Sequence, residues 1–387
     1  MDTLVVSGAI ANKHLNGGEA WVRLSWILGL RRLGFDVWFV EQMDEATAVD
    51  ADGARTDFAD SQNRRYFEQV VERFGLAGRA SLLFEGGREA SGVPLADLLP
   101  VAEEARLLVN ISGHLDLEPL LGRLRRRAYV DLDPGFTQFW HADGTGGSRL
   151  EGHDVFFTVG ENIGRPDCAI PTCGLDWKAV RPPAVLDEWP VAADGDAGRF
   201  TTIGAWRGAF GPVQFDGRTY SLKVHEFRKV IDLPRRSPQR FEIALDIHPG
   251  DHRDREALEE HGWDLVDPRA TVPGPLEFRE YVQGSGAEFS VAQGIYVETN
   301  SGWFSDRTVR YLASGRPVLV QDTGFSENLP VGEGLLAFRD LDGAVAGAQR
   351  IAADYERHRR AARAIAEAHF DSDTVLARFL EEAGIGS

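Results

Sequence analysis

Short apolar runs alternate with amphipathic stretches along the whole chain, and this alternation predicts strands and helices in turn. In the first half, apolar runs predict strands near residues 4–7, 37–40, 107–110, 128–131 and 155–158. Apolar positions three and four apart predict helices near 19–33, 62–74 and 117–125. Residues 44–60 are polar and read as loop. The stretch EWPVAADGDAGR, at 188–199, is rich in small residues, Asp and Gly and reads as a linker. The pattern then restarts, with strands predicted near 200–204, 241–245, 263–266, 287–291 and 318–320. Helices are predicted near 221–231, 252–261, 275–283 and 305–314, then over an amphipathic region at 341–363 and a last helix at 373–382. Such alternation predicts an α/β protein with doubly wound parallel sheets. The expected organisation is a Rossmann-like domain over 1–187, a linker over 188–199, a second such domain over 200–370 and a C-terminal helix over 371–387.

One stretch, GWFSDRTVRYLASGRPVLVQDTG at 302–324, carries most of the candidate chemistry. Val309, Leu312 and Ala313 give its helix an apolar stripe, and Ser305 or Asp306 can cap it. Gly315 ends the helix where a positive φ is usual, and Pro317 opens the strand that follows. A capped helix N-terminus is a ready anion site, and ligands of open α/β sheets sit at the carboxyl ends of strands. Ser305, Asp306, Arg307 and Asp322 are therefore expected at a phosphosugar pocket, where an Arg fork matches phosphate oxygens. Gly204 and Arg207 lie in a turn after the first strand of the second domain, where a missing side chain lets backbone approach a phosphate. Lys223, at the start of the next helix, is a second candidate there.

The first domain offers groups for the other substrate. His14 follows the first strand, and His has a pKa suited to a general base. Asn16, Gly17 and Gly18 come next, and the glycines are expected to let the loop approach the substrates. Three more polar clusters each follow a predicted strand and so share one rim. They contain His114, then Asp131, Asp133 and Trp140, then Glu161. They predict an acceptor pocket in which Trp140 or Phe136 stacks on a ring. His114 and Asp131 are alternatives to His14 as the base. Asp133-Pro134-Gly135 reads as a turn rather than as part of a ligand cluster, so no metal site is expected.

The pattern of Ala313, Gly315, Pro317 and Val318, followed by a strand and then Asp322 and Gly324, resembles the donor-binding region of GT-B nucleotide-sugar glycosyltransferases. So does the N-terminus, with Asn16-Gly17-Gly18-Glu19, a helix, and RRLGFDV at 31–37. The resemblance implies two Rossmann-like domains facing across a cleft, with the closing helix crossing back to the first. It implies transfer of a hexose from a nucleoside diphosphate sugar to a small-molecule hydroxyl. In many members a basic residue and a later Lys grip the diphosphate, which implies that role for Arg207 and Lys223, although the insertion between them is longer here. Inverting members often carry a His in the first loop, as His14 does. Many retaining members carry two glutamates seven residues apart, at positions occupied here by Gly302 and Arg310. Inverting, metal-independent transfer is therefore expected. The alternatives are a nucleotide-sugar epimerase of the same fold and a non-catalytic module that binds sugar nucleotides or proteins.

Composition narrows the field further. The 387 residues suit two domains, and a net charge of −18 argues against a nucleic-acid partner, which requires clustered cations. Two cysteines, in CAIPTC at 168–173, lack a second Cys/His pair nearby and read as reduced thiols. No Walker loop, GxGxxG after the first strand or GxSxG appears, which lowers hydrolase, dehydrogenase and esterase readings. The first residues run straight into a strand, and no apolar stretch approaches the ~20 residues of a membrane span. The cytoplasm is the expected compartment. Nothing in the sequence indicates the oligomeric state.

Overall fold

The computed structural model describes residues 2–144, 147–193, 195–208 and 210–386. Two sheets organise them. The first has eight strands: β1 (Thr3–Ser7), β2 (Asp36–Met43), β3 (Ala80–Phe84), β4 (Glu89–Gly92), β5 (Leu107–Ile111), β6 (Arg127–Asp131), β7 (Val155–Thr158) and β8 (Trp177–Ala179). Their order is β4-β3-β2-β1-β5-β6-β7-β8, parallel except at the β3–β4 edge. The second sheet has six parallel strands: β9 (Asp196–Ala205), β12 (Arg240–Asp246), β13 (Trp263–Val266), β14 (Ser285–Ser290), β15 (Val318–Gln321) and β16 (Leu335–Phe338). Their order is β13-β12-β9-β14-β15-β16. A small hairpin, β10 (Gln214–Phe215) with β11 (Arg218–Thr219), projects from the insertion after β9.

Every position of β5, β14 and β15 is buried, as both faces of a parallel sheet are covered by helices. The sequence pattern did not predict β3, β4, β8, β16, or the helices Leu95–Glu104 and Phe136–Asp143. Two boundaries also move. β9 starts at Asp196, within the stretch predicted as linker, because its first residue already pairs with Ser285 of β14. The amphipathic region at 341–363 is two helices, Leu341–Ala353 and Tyr355–His369, separated where Asp354 leaves helical geometry.

The helix Gly17–Arg32 is the hub of the molecule. Its apolar residues, among them Trp21, Leu24, Trp26, Ile27 and Leu30, are buried around its circumference, which requires neighbours on all sides. One neighbour is the final helix, Ser372–Glu382, which does cross back to the first domain. There Trp26 meets Phe379 edge-on at 4.9 Å, and a Cβ on Gly29 would stand 2.5 Å from Leu376. Another neighbour is the helix Pro275–Gly284 of the second domain. The Trp21 indole N–H donates to the Pro275 carbonyl at 2.6 Å, and the Gly17 N–H donates to Val272. A Cβ on Gly17 would lie 2.0 Å from the Gly274 oxygen, and one on Gly18 2.9 Å from the Phe278 ring. Gly17 and Gly18, expected to approach substrate, stand against the second domain here, Gly17 admitting its backbone and Gly18 the Phe278 ring.

Two further contacts complete the joint. Arg310 is buried and donates to the Pro183 carbonyl (3.0 Å), to Ser25 Oγ (2.9 Å) and to the Trp21 carbonyl (3.4 Å). Asn162 donates to the carbonyls of Asn300 and Gly324 and accepts from Asn328. Gly302 has a φ of +73°, and a Cβ there would stand 2.8 Å from the Asn162 side chain.

Gly17→Ala is expected to destabilise the joint by about 1–3 kcal/mol, the usual cost of overpacking, because backbone rather than a flexible side chain opposes the new methyl. Urea denaturation checks this, and an unchanged midpoint would show that the two domains part there at no cost.

Candidate functional site

A cavity of ≈ 630 Å³ lies between the domains and draws its walls from both. On the first-domain side stand Lys13, Glu19 and Arg23, with His114, Asp133 and Trp140 beyond them. The loop after β1 is rigid because Glu41 of β2 accepts the N–H groups of Ile10, Ala11 and Asn12, each at 2.8 Å. That loop presents Lys13 to the cavity. It holds His14 elsewhere: the Asn63 amide bonds His14 Nδ1 at 3.1 Å, and His14 does not line the cavity.

The turn after β6 shows a division of labour between two carboxylates. Asp131 accepts from Thr137 Oγ1 (2.7 Å), Gln138 Nε2 (2.9 Å), Thr158 Oγ1 (2.7 Å) and the Asp133 N–H (3.1 Å). Both its oxygens are occupied, and it stays out of the cavity. The turn it braces places Asp133 in the cavity, where Tyr296 of the second domain donates its hydroxyl at 3.1 Å. Burial pushes the Asp133 carboxyl up to about 6, and the nearby charges of Asp131 and Glu19 add to the shift. His114 moves the other way. Burial and the charges of Arg23, Arg149 and Lys13 push its imidazole down to about 3.

On the opposite wall, Arg307 is held flat. Its Nε donates to Glu288 (2.7 Å), and its terminal nitrogens donate to the Ile203 carbonyl (2.8 Å) and Ser290 Oγ (2.6 Å). Beside it, Lys223 Nζ has no hydrogen-bond partner among the described residues. Gly204 makes room for it, since a Cβ there would stand 3.2 Å from Nζ. Burial and the adjacent Arg307 charge push Lys223 down to about 7. Ser305 occupies the N-cap position of the helix Asp306–Ala313 but makes no side-chain cap bond, and it borders the cavity. Asp306 also borders it, and burial raises its pKa.

Aromatic rings from three segments line the rest. Phe210 lies 5.1 Å from Phe136 and 4.8 Å from Trp140, while Tyr296 packs on Trp303 at 4.6 Å. Phe210 arrives on the insertion after β9. Tyr220, from the same insertion, stacks on Phe139 of the first domain at 4.9 Å, so this segment bridges the cleft. A second cavity, of ≈ 1040 Å³, opens at the carboxyl ends of β9, β12 and β13. Arg207 borders it, exposed and paired with Asp251 at 2.5 and 2.9 Å.

No family model matches the chain, and no curated protein matches it in sequence. Solved structures do match it over nearly its full length. An alpha-glucosyltransferase in complex with UDP and a 13-mer DNA aligns with a TM-score of 0.61 at 12% identity, covering 99% of this chain and 100% of that one. HepE of Anabaena in complex with UDP-glucose aligns at 0.58 with 12% identity and the same coverage. A sucrose-phosphate synthase from Thermosynechococcus elongatus aligns at 0.54 with 12% identity, covering 98% of each chain. The chain has the GT-B fold.

Within this GT-B frame, the positions where many retaining members carry glutamates serve the domain joint. Gly302 leaves no room for a side chain, and Arg310 faces the first helix. Other predicted residues also lie outside the interdomain cavity. Asn16 caps the first helix, accepting the Glu19 N–H at 3.2 Å. Glu161 pairs with Arg181 at 2.8 Å. Asp322 holds a turn through the Gly324 N–H, Ser326 and Arg339. The cavity gathers His114, Asp133, Trp140, Lys223, Ser305, Asp306 and Arg307 from the predicted set. It adds Arg23, Arg149, Phe210 and Tyr296, which the sequence did not single out. Tyr296 lies soon after β14, so its place beyond a strand's carboxyl end was the available signal. Both cysteines are free thiols. Among the described residues, no group of three His, Cys, Asp or Glu side chains could hold a metal, and no helix is long and apolar enough to cross a membrane.

His114 is expected to remain neutral down to about pH 4, since its pKa lies near 3. An NMR titration of its ring protons checks this, and a transition near the ordinary histidine value would mean that the three surrounding cations do not act on it.

Proposed function

We propose that the protein transfers a hexose from a nucleoside diphosphate sugar to a hydroxyl of a small-molecule acceptor. The observation that carries this reading is the unpaired Lys223 beside Arg307 in the interdomain cavity. The nearby carboxylate, Glu288, is engaged by Arg307, so two cations share one counter-charge and an arriving diphosphate supplies the missing negative charge. Arg307 retains free N–H donors after its three internal bonds, and Ser305 and Asp306, at the start of the same helix, border the same cavity. The second cavity, at the carboxyl ends of β9, β12 and β13, suits the nucleoside. The structures of alpha-glucosyltransferase and HepE hold UDP or UDP-glucose, which favours uridine.

In transfer, Lys223 and Arg307 stabilise the negative charge that develops on the departing diphosphate, and their burial strengthens that effect. This arrangement needs no metal to neutralise the leaving group. The acceptor sits on the first-domain side, against Phe136, Trp140 and Phe210. Two of the matching structures contain DNA, but this chain's net charge of −18 and the aromatic wall of its cavity favour a small acceptor.

Calorimetry with UDP-glucose tests the donor site. Lys223→Met is expected to weaken binding by about 1.5–3 kcal/mol, the range for a hydrogen bond to a charged group. Unchanged affinity would remove Lys223 from the site. The pH dependence has a definite sign. Free Lys223 titrates at about 7, and a bound diphosphate raises that value, so binding above this pH takes up a proton. Affinity should therefore be level below pH 7 and fall above it, by up to about tenfold per pH unit, and Lys223→Met should abolish the slope.

Turnover in EDTA should equal turnover in magnesium. A loss that magnesium restores would require a metal ligand in the cavity.

A further inference from the structure

On the transferase reading, the first-domain wall must supply a group that takes the acceptor proton, and the geometry points to Asp133 as that general base. Three other candidates are disfavoured by their surroundings. His14 lies outside the cavity and is held by Asn63. Asp131 has four donors on its two oxygens and serves the turn. His114 lines the cavity but faces Arg23, Arg149 and Lys13, and a ring so reluctant to gain a proton is a weak base.

Asp133 combines access with a poised environment. Its carboxyl receives one side-chain bond among the described residues, from Tyr296, and that bond falls on Oδ1. Oδ2 is left for a ligand. The braced turn fixes the backbone beneath it, and Tyr296 is fixed in turn by its packing on Trp303. The base is therefore held by both domains, at the seam between the acceptor wall and the Lys223–Arg307 wall. The charged and titratable groups that face it are Asp131 at the end of β6, Glu19 on the first helix, Lys13 on the loop after β1 and Tyr296 of the second domain. Burial, Asp131 and Glu19 favour its protonated form, while Lys13 and the Tyr296 hydroxyl favour the carboxylate. The balance near 6 leaves it ionised at neutral pH, yet basic enough to accept a proton.

In the step itself, the acceptor hydroxyl oxygen attacks the anomeric carbon of the donor sugar. The O–H proton moves to Asp133 Oδ2. The bond between the anomeric carbon and the phosphate oxygen breaks, and its electron pair leaves on the nucleoside diphosphate beside Lys223 and Arg307. Asp133 returns its proton to solvent once the products depart.

The test measures UDP release from UDP-glucose, with water and 4-methylumbelliferone as acceptors, alongside calorimetric binding of UDP. Asp133→Asn should lower kcat by about 10²–10⁴-fold and leave UDP affinity within about twofold. Wild-type kcat/KM should rise through a pKa near 6, and Asp133→Asn should lose that limb. Tyr296→Phe should move the limb to higher pH, because it removes a bond that stabilises the carboxylate. Asp133→Asn turnover within about threefold of wild type, or persistence of the limb, overturns Asp133 as the base while the transferase reading stands. A fall in UDP affinity that matches the fall in turnover also overturns it, by making Asp133 a donor contact. A wild-type protein that binds no UDP, or binds it without turnover, overturns the transferase reading and the base together.

Discussion

The carbonyl of Gly274 and the backbone of Gly17 stand so close that no side chain fits between them. This approach helps set the distance between the two sheets, because it lies at the end of the helix that meets β1, β2, the helix Pro275–Gly284 and the final helix. Trp21, one turn further on, donates to Pro275, and Arg310 reaches the same helix from the second domain. The final helix holds the opposite side through Phe379 and Leu376. The cavity is what remains between two domains clamped at these points, so its width follows from the glycines. That constraint explains why a chain with the GT-B fold places no glutamate at 302 and an arginine at 310: both positions face the first domain.

A second constraint is electrostatic. The protein carries a net charge of −18, yet the cavity wall gathers Lys13, Arg23, Arg149, Lys223 and Arg307 against Glu19, Asp133 and Asp306. Cations concentrated where water is partly excluded act on their neighbours far more strongly than at the surface. His114 and Lys223 both register this, each losing basicity first to burial and then to the cations around it. Burial itself works in opposite directions on the two charge types, holding Asp133 and Asp306 towards the neutral form. The interior is therefore tuned by position rather than by composition, and the overall charge gives no guide to it.

The strands with consecutive apolar residues were legible in the sequence. LLVNI at 107–111 and VLVQ at 318–321 fit only as buried strands between turn signals. ASLLF at 80–84 is as buried but has no β-branched residue, and a run of five such residues reads equally as helix. EASG at 89–92 has no apolar pattern because it is an edge strand, fixed by pairing with β3. Among the candidate residues, Asp133, read as following a strand, and Lys223, read at a helix start, both border the interdomain cavity. What the sequence could not show was which polar groups consume one another. Asp131 and Asp133 are two residues apart and look alike, but one is saturated by Thr137 and Gln138 of the following helix and Thr158 at the end of β7. Arg307 and Glu288 are 19 residues apart and meet only because β14 runs beneath the helix that carries Arg307.

The missing glutamates leave sugar recognition to other groups on the proposed reading. A hexose beside Lys223 and Arg307 needs hydrogen-bond acceptors for its hydroxyls, and a fixed set must stand within reach. Asp306 meets that need, since it borders the cavity and its carboxylate makes no hydrogen bond among the described residues. Ser305 adds a hydroxyl that does not cap its own helix. Glu19 is less suited, being engaged by Arg23. Asp306 stands on the same helix as Arg307 and Arg310, one turn from the joint. The residue that holds the domains together, Arg310, and those that border the cavity, Asp306 and Arg307, thus share one helix.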